Sequence, residues 1–252
     1  MIYVTGDTHG THDFAKLLDN KYKKLTKNDF MIICGDCGAV FDRDSSRVIN
    51  LYEYLPYTVL FVDGNHENFD MLNSYPIEIW NCGKVHKISN SVYHLMRGQV
   101  YCLDGIKFFC FGGALSFDKS RRIRGKTWWE AELPTKEDYY EAVNNLKTFK
   151  NQVDFVITHD CPLSWMGGVK DSPKLIHEGY IQSSSNIFLE EIASNLHFRH
   201  WFFGYYHIDV KLTPIATELF HNVVNISRYI SYPVRYGKDY VGSNSRWNIP
   251  TM

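Results

Sequence analysis

The stretch Phe61-Val62-Asp63-Gly64-Asn65-His66-Glu67 is an apolar run that breaks at a glycine and then presents an amide, an imidazole and a carboxylate in succession. An amide oxygen can complete the shell of a metal ion whose charge is already balanced, and an adjacent imidazole can pass a proton to a departing oxygen. By itself the segment is an ordinary loop. Its meaning depends on how the other strands of the chain end.

Four other β-rich runs end in a similar way, at Gly6-Asp7-Thr8-His9, Gly35-Asp36, Thr158-His159 and Gly204-Tyr205-Tyr206-His207. In α/β folds, ligands sit beyond the carboxyl ends of the strands, so side chains that are far apart in sequence can converge there. The side chains that we expect to converge are Asp7, His9, Asp36, Asn65, His66, His159 and His207. An isolated Asp or His after a strand is usually a turn or cap residue, and on that ground we interpret six further histidines as ordinary ones: His86, His94, His177, His197, His200 and His221.

The ligand types in this set indicate the metal. If His66 is the proton donor, two carboxylates, one amide and three imidazoles remain, which suits Mn, Fe, Zn or Ni better than Ca. If Asp36 bridges, two ions could lie about 3.5 to 4 Å apart, share a hydroxide nucleophile and clamp a phosphoryl group.

The segments between these strand ends alternate between helical and strand patterns. Apolar spacing predicts helices over 12–22, 48–55, 136–150 and 187–196, and strands over 2–5, 30–34, 58–62, 153–158 and 201–203. Three β-rich runs between 92 and 111 are separated by Arg97-Gly98 and Asp104-Gly105, which favours antiparallel hairpins. The region 163–185 has the pattern of a long polar loop. The element order predicts an α/β fold.

The composition is that of a globular protein with a substantial core. The 252 residues are 44% hydrophobic, and the formal charge of −1 gives no global attraction to nucleic acid or to an anionic membrane. The N-terminus has no basic segment followed by a long apolar one, and no uncharged run approaches transmembrane length. We expect one compact domain in a soluble, cytoplasmic protein without a membrane partner. The oligomeric state is left open.

The six cysteines favour reduced thiols over disulfides, because four of them lie within or beside apolar runs. Cys34 and Cys37 have the spacing of half a zinc site. No second Cys pair or His pair follows at a usable distance, so we do not expect structural zinc there.

Together, the strand-end motifs resemble those of the calcineurin-like metallophosphoesterase superfamily, in order and in residue type, from residue 6 to residue 207. The resemblance implies a four-layer αββα sandwich of two mixed sheets, with residues 1–235 as the metallophosphoesterase domain and 236–252 as a C-terminal tail. It also implies two divalent metal ions, with manganese expected first. The first metal would be held by Asp7, His9, Asp36 and His207, and the second by Asp36, Asn65 and His159. His66 would protonate the leaving group.

Two positions depart from the family pattern. The last family motif is usually Gly-His-x-His, and its first histidine binds the second metal, but this chain has Tyr205 there. A neutral phenol is a poor ligand for Mn or Zn, so we expect the second metal to bind more weakly. The Asp that commonly orients the acid histidine is replaced by Ala39, with Asp42 nearby but displaced. Tyr205 is compatible with natural divergence and with a substitution that disables the enzyme.

The segment 118–129 carries a local positive cluster with two tryptophans: Lys119, Arg121, Arg122, Arg124, Lys126, Trp128 and Trp129. Guanidinium groups such as those of Arg121 and Arg122 can bind phosphate oxygens, and aromatic faces can stack on a base or sugar, so a nucleotide-type phosphoester or a nucleic-acid end would suit the cluster. The alternative is a solvated basic loop that the tryptophans anchor to the core.

The sequence is compatible with three functions. The first is a metal-dependent phosphoesterase that hydrolyses a phosphomonoester or a phosphodiester. The second is a binding or regulatory protein on the same scaffold, in which Tyr205 impairs catalysis. The third is a purely structural domain, which would require the strand-end residues to be scattered in space. We rank them in that order.

Overall fold

The computed structural model describes residues 1–42, 44–178 and 181–242. Two mixed β-sheets pack face to face, and helices cover their outer faces. This is the expected four-layer αββα sandwich. No helix in the described ranges is long and apolar enough to cross a membrane.

The first sheet has seven strands in the order β14-β1-β2-β3-β6-β5-β4. Its strands are β1 (Ile2–Thr5), β2 (Phe30–Ile33), β3 (Thr58–Phe61), β4 (Ile77–Trp80), β5 (Gly83–Lys87), β6 (Val92–Leu95) and β14 (Val223–Asn225). Strands β1, β2, β3 and β6 run parallel, whereas β4, β5 and β14 pair antiparallel with their neighbours. The parallel strands therefore end at the same edge.

The second sheet has six strands in the order β12-β13-β11-β9-β8-β7. These are β7 (Gln99–Leu103), β8 (Ile106–Phe111), β9 (Phe155–Thr158), β11 (His200–Phe203), β12 (Val210–Thr213) and β13 (Ala216–Glu218). Strands β8, β9, β11 and β13 are parallel, and β7 and β12 are antiparallel at the two edges. A separate ribbon pairs β10 (His197–Phe198) with β15 (Arg235–Tyr236).

The core lies in three layers because successive side chains of a strand point to opposite faces of its sheet. In β9, Phe155 and Ile157 face the first sheet, whereas Val156 packs under the helices of the second sheet. In β2, Ile32 enters the layer between the sheets, and Met31 and Ile33 face the opposite side. Both faces of the central strands are buried, which explains their continuous apolar sequence.

The helices are α1 (Ser45–Glu53), α2 (Phe69–Leu72), α3 (Lys136–Thr148), α4 (Pro173–Glu178) and α5 (Ser184–Asn195). Helices α3 and α5 begin at capping boxes, in which Thr135 and Ser183 accept hydrogen bonds from backbone N–H groups of the first turn. The predicted helix over 136–150 is confirmed. The predicted helices over 48–55 and 187–196 exist, but each begins three residues earlier than expected.

The predicted helix over 12–22 is wrong. The chain forms two short 3₁₀ segments there, Phe14–Leu18 and Asn20–Tyr22, separated by Asp19 in an extended conformation. The Asp19 side chain accepts a hydrogen bond from the backbone N–H of Lys21, which starts the second segment and interrupts the first.

The two predicted hairpins have different outcomes. The hairpin of β7 and β8 at Asp104-Gly105 is confirmed. The hairpin at Arg97-Gly98 is wrong, because β6 belongs to the first sheet and β7 to the second. The side chain of Arg97 pairs with Asp63. Gly98 has a φ of +74°, and a Cβ atom there would lie 2.8 Å from the backbone nitrogen of Ala142, so glycine is needed where this link carries the chain from one sheet to the other.

Part of the predicted loop over 163–185 is helical. It contains a 3₁₀ segment at Leu163–Val169 and helix α4, and residues 179–180 lie outside the described part. Strands β4, β5, β10 and β12 to β15 were also not predicted. They are two to five residues long, and most of their positions are partly exposed, so their sequences lack the continuous apolar run of a central strand.

Residues 235–240 pack against the second sheet and its helices. The backbone N–H of Gly237 donates to the carbonyl of Leu196, and the indole of Trp165 donates to the carbonyl of Tyr240. Residues 243–252, most of the predicted irregular tail, lie outside the described ranges. All six cysteines are free, and Cys34, Cys37, Cys110 and Cys161 are buried, as expected.

Candidate metal centre

The expected metal ligands lie at one edge of the sandwich, where parallel strands of both sheets end. Two groups of carboxylate and imidazole side chains, one of Asp7, His9 and His207 and one of Asp7, Asp36 and His159, have donor atoms within 4.8 Å of one another. Neither group in the described part of the chain contains a cysteine. We use the name first subsite for Asp7, His9, Asp36 and His207, and second subsite for Asp36, Asn65, His159 and position 205.

Asp36 reaches both subsites. Its Oδ2 atom lies 3.6 Å from Nε2 of His9 and 3.5 Å from Nε2 of His159. Its Oδ1 atom accepts the backbone N–H of His66 at 2.7 Å. Oδ2 is buried, and no hydrogen bond to it is formed by any described residue. A buried carboxylate oxygen without a donor is costly unless a cation is nearby.

Two of the histidines are oriented by hydrogen bonds from their far nitrogen. Nδ1 of His9 contacts Oδ2 of Asp13 at 2.8 Å, and Nδ1 of His159 donates to the carbonyl of Cys34 at 2.7 Å. In both rings Nε2 therefore faces the carboxylates. Hydrogen bonds at the nitrogen that faces away from a metal fix the tautomer and the ring orientation of metal-binding histidines.

Asp7 and His207 close the first subsite. Oδ2 of Asp7 lies 3.1 Å from Nε2 of His207, and its Oδ1 accepts the backbone N–H of Tyr205 at 3.0 Å. The side chain of Asp7 is buried, whereas the side chains of His9 and His207 are 21% and 30% exposed. The first subsite therefore opens to solvent on its imidazole side.

Asn65 presents its oxygen to the second subsite. Its Nδ2 group donates to Oγ of Ser116 at 3.0 Å, and its Oδ1 lies 3.2 Å from Nε2 of His159. Ser116 is in turn held by Glu132, whose carboxylate accepts both its hydroxyl and its N–H.

Two glycines permit the close approach of these groups. A Cβ atom at position 64 would lie 2.0 Å from Oδ1 of Asp36, and one at position 204 would lie 2.3 Å from Oδ1 of Asp7. Real side chains do not approach so closely, so the glycines that end these strands are required by the carboxylates packed against them.

Electrostatics couples the carboxylates to the imidazoles. Burial would raise the pKa of Asp36, but the charges of His159 and His66 lower it well below its usual range. Burial would lower the pKa of His9, yet the close Asp36 carboxylate, 3.6 Å away, and the charge of Asp7 raise it to about 9. Protonated imidazoles thus balance the buried carboxylates, a role that a bound cation can take over.

His66 lies beside this cluster, with its ring centroid 6.0 Å from that of His9. Atoms Nη1 and Nη2 of Arg122 lie 2.9 and 3.3 Å from the two ring nitrogens of His66. The two ring nitrogens point in different directions, so one guanidinium group that is close to both must lie across the ring face. Burial and the charge of Arg122 lower the pKa of His66 to about 4, against the influence of Asp36.

The basic cluster is only partly directed at the site. Arg122 contacts His66 and is held by Asp118, whereas the side chain of Arg121 is exposed. Arg124 pairs with Glu130 at 2.7 Å. Trp129 is buried, and its indole donates to Asp70, so the anchoring interpretation applies to this tryptophan.

Tyr205 is buried at the border of the second subsite. Its ring packs edge-on against His159, with centroids 5.2 Å apart, and its hydroxyl donates to the carbonyl of Leu115. Asp42, which is displaced from the orienting position at Ala39, accepts the N–H of Asp44. Among the described residues, Arg122, and not a carboxylate, contacts the ring nitrogens of His66.

Sequence reasoning missed several supporting groups. Asp13 could have been found, because it follows His9 by four residues and could return to the same ring. The Cys34 carbonyl and Ser116 could not, because they reach the site only through the fold.

Two relatives are lariat debranching enzymes. Lariat debranching enzyme A of Xenopus laevis is 25% identical over 188 residues, which cover 65% of this chain and 33% of that protein. The Schizosaccharomyces pombe lariat debranching enzyme is 24% identical over 247 residues, covering 84% of this chain and 49% of that protein. This chain therefore spans between a third and a half of the length of these relatives.

The family assignment rests on a broader match. The family model described as calcineurin-like phosphoesterase matches residues 1–208. This range includes every residue of the two subsites and most of both sheets. The chain belongs to the calcineurin-like phosphoesterase family.

Proposed function

We propose that this chain is a metal-dependent phosphoesterase, with a phosphodiester as its preferred substrate and a phosphomonoester as the alternative. The observation that carries the proposal is the buried Oδ2 atom of Asp36, which has no hydrogen-bond partner among the described residues and lies between His9 and His159. A cation on either side of this oxygen would neutralise it and would displace the protons that the imidazoles now hold.

The donor set fits a divalent transition metal. Carboxylate oxygens and imidazole nitrogens surround the first subsite, and an amide oxygen is added in the second. This mixture suits Mn, Fe, Zn or Ni, with manganese the first to test. When bound, such ions polarise the phosphoryl group and make water a stronger nucleophile at neutral pH.

The residues around the subsites would position the ester. Arg122 places its N–H groups beside the ring of His66, where they can bind a phosphoryl oxygen. His66 would donate a proton to the departing oxygen, and the negative charge of the substrate would favour its protonated form. Arg121 stays a predicted substrate-binding residue.

The names of the two relatives support a nucleic-acid substrate. Both are lariat debranching enzymes, and a branched RNA is therefore the first natural type of substrate to test. The near-neutral net charge favours recognition of a local branch or end over binding along an extended track.

Tyr205 supports a second candidate, a binding or regulatory protein with impaired catalysis. It stands where the family usually has a second-metal ligand, and its hydroxyl is directed to the carbonyl of Leu115. This candidate predicts binding of a phosphoester without turnover, and a gain of turnover in Tyr205→His.

The test is hydrolysis of p-nitrophenyl phosphate, its bis ester and a synthetic branched RNA by chelator-treated protein, with and without added Mn²⁺. We expect turnover only with metal, and faster turnover of the diesters. Metal-independent turnover, or none of any ester with Mn²⁺ present, would contradict the enzymatic proposal. Binding of the branched RNA without turnover would favour the second candidate.

A further inference from the structure

Lys174 lies over the ring of Tyr205, which stands where the family pattern has a histidine that binds the second metal. Helix α4 begins at Pro173, and its next residue, Lys174, places its ammonium 3.5 Å from the centroid of the Tyr205 ring. Lys174 is half-buried. A cation over an aromatic face at this distance is held by the ring quadrupole as well as by packing.

The Tyr205 ring connects this ammonium to the second subsite. The same ring packs edge-on against the imidazole of His159. The Lys174 ammonium and the His159 imidazole thus both contact the Tyr205 ring. A positive charge is therefore already present beside the second subsite in the folded protein.

An ammonium here changes what the second subsite can bind. A divalent cation would meet a like charge nearby and would find a phenol in place of an imidazole. A phosphoryl oxygen would instead meet a compact cation with three N–H donors, a common phosphate-binding group. The ammonium of Lys174 and the phenol of Tyr205 both disfavour a divalent cation in the second subsite.

We propose that this chain holds one metal ion, in the first subsite, and that the Lys174 ammonium supplies the positive charge beside the second subsite, where it binds a phosphoryl oxygen. This inference rests on the proposed phosphoesterase function for its ligand. Its two measurable parts, the number of metal ions and the affinity for phosphate, do not require turnover.

The first test counts metal ions. Chelator-treated protein is titrated with Mn²⁺ by calorimetry, and the bound metal is measured after gel filtration. We expect about one ion per chain for the unmodified protein, and a second ion in the double variant Tyr205→His, Lys174→Met. Two ions of similar affinity in the unmodified protein would overturn the proposal, as would a double variant that still holds only one.

The second test measures binding of inorganic phosphate to the Mn²⁺-loaded protein. Lys174→Met keeps the length of the side chain and removes its charge, and we expect it to weaken phosphate binding by about tenfold or more. Lys174→Arg keeps the charge and should stay within about threefold of the unmodified protein. Lys170→Met, at an exposed lysine four residues earlier in the chain, is the matched control and should change nothing.

Equal phosphate affinity in Lys174→Met and in the unmodified protein would overturn the role of the ammonium, and so would an unmodified protein that binds no phosphate. If the chain hydrolyses no ester but shows the expected metal count and phosphate affinities, the proposed function fails while this inference stands.

Discussion

Among single residues, several members of the candidate site have uncommon backbone conformations. Non-glycine residues with positive φ in the described part include His9, Asp36, Tyr205 and His207, at 42°, 47°, 77° and 58°. Each costs free energy relative to ordinary backbone, and such residues cluster where a function over-determines the geometry. The concentration at the two subsites therefore supports a functional role.

Asp36→Asn tests the carboxylate that both subsites share. An amide at this position carries no charge to balance a bound cation, so we expect hydrolysis to fall by at least about a hundredfold and Mn²⁺ affinity to fall with it. Steady-state kinetics with bis-p-nitrophenyl phosphate and a metal titration check this. The control is Asp42→Asn, at an exposed carboxylate nearby, and a similar loss in that variant would show that general charge is responsible.

Arg122→Ala tests the contact with His66. Removing the guanidinium removes both a phosphate-binding group and the group that covers the imidazole, and we expect kcat/KM to fall by about tenfold or more. Arg124→Ala is the matched control, because Arg124 pairs with Glu130 on the exposed side of the same loop. Equal effects in the two variants would contradict a specific role for Arg122.

At the scale of elements, the site depends on strands that end together. The strands β1, β2 and β3 are parallel neighbours in the first sheet, as are β9 and β11 in the second, and each leads into a subsite residue. Because the strands end where glycine allows close packing, the carboxylates of adjacent loops can approach each other.

Gly64→Ala tests this close packing. The added methyl group would collide with Asp36, so we expect a loss of about 2 to 4 kcal/mol of unfolding free energy together with weaker metal binding. Gly167→Ala is the control, because no atom lies within 4 Å of a Cβ atom there; we expect a change within about 0.5 kcal/mol. Urea unfolding curves measure both. A neutral Gly64→Ala would contradict the packing argument.

The elements that carry the site were predictable, and those around it were less so. Central strands such as β3 and β9 are buried on both faces and therefore leave a continuous apolar run followed by polar residues. The edge strand β4 is mostly exposed and lacks such a run. The segment after His12 has helical spacing, yet the hydrogen bond of Asp19 divides it, and propensity alone does not report that competition.

Within the site, too, only some contacts could be predicted from local sequence patterns. The convergence of the expected metal-binding residues could be predicted from residue type and from their positions at strand ends. The ammonium of Lys174 approaches Tyr205 from a helix in a segment that has the composition of a loop, and Arg122 reaches His66 from an irregular segment. These contacts depend on tertiary packing, which no local pattern in the sequence encodes.

At the scale of the whole molecule, one buried histidine couples stability to pH. His200 begins β11, is fully buried, and its Nε2 contacts Oγ1 of Thr217 at 2.8 Å. Burial lowers its pKa to about 3, and the charge of Lys211 adds to this. The unfolded chain therefore binds the extra proton between about pH 6.5 and pH 3, while the folded protein does not.

It follows that this contribution to stability is complete above about pH 6.5 and is lost as the pH falls. At pH 5 the loss from His200 should be about 2 kcal/mol relative to pH 7. In His200→Gln the side chain stays polar but takes up no proton in this pH range. The unfolding free energy of this variant should therefore fall less between these pH values. Urea unfolding at both pH values measures the difference, and identical pH dependence in the two proteins would contradict it.

If the strand-end carboxylates and imidazoles of the two sheets bind a catalytic metal, the ion should be visible in crystals soaked in Mn²⁺ and measured at the manganese absorption edge. We expect an anomalous peak about 2.0 to 2.3 Å from oxygens of Asp7 and Asp36 and from nitrogens of His9 and His207. The absence of a peak at this edge of the sandwich, with Mn²⁺ bound elsewhere or not at all, would contradict it.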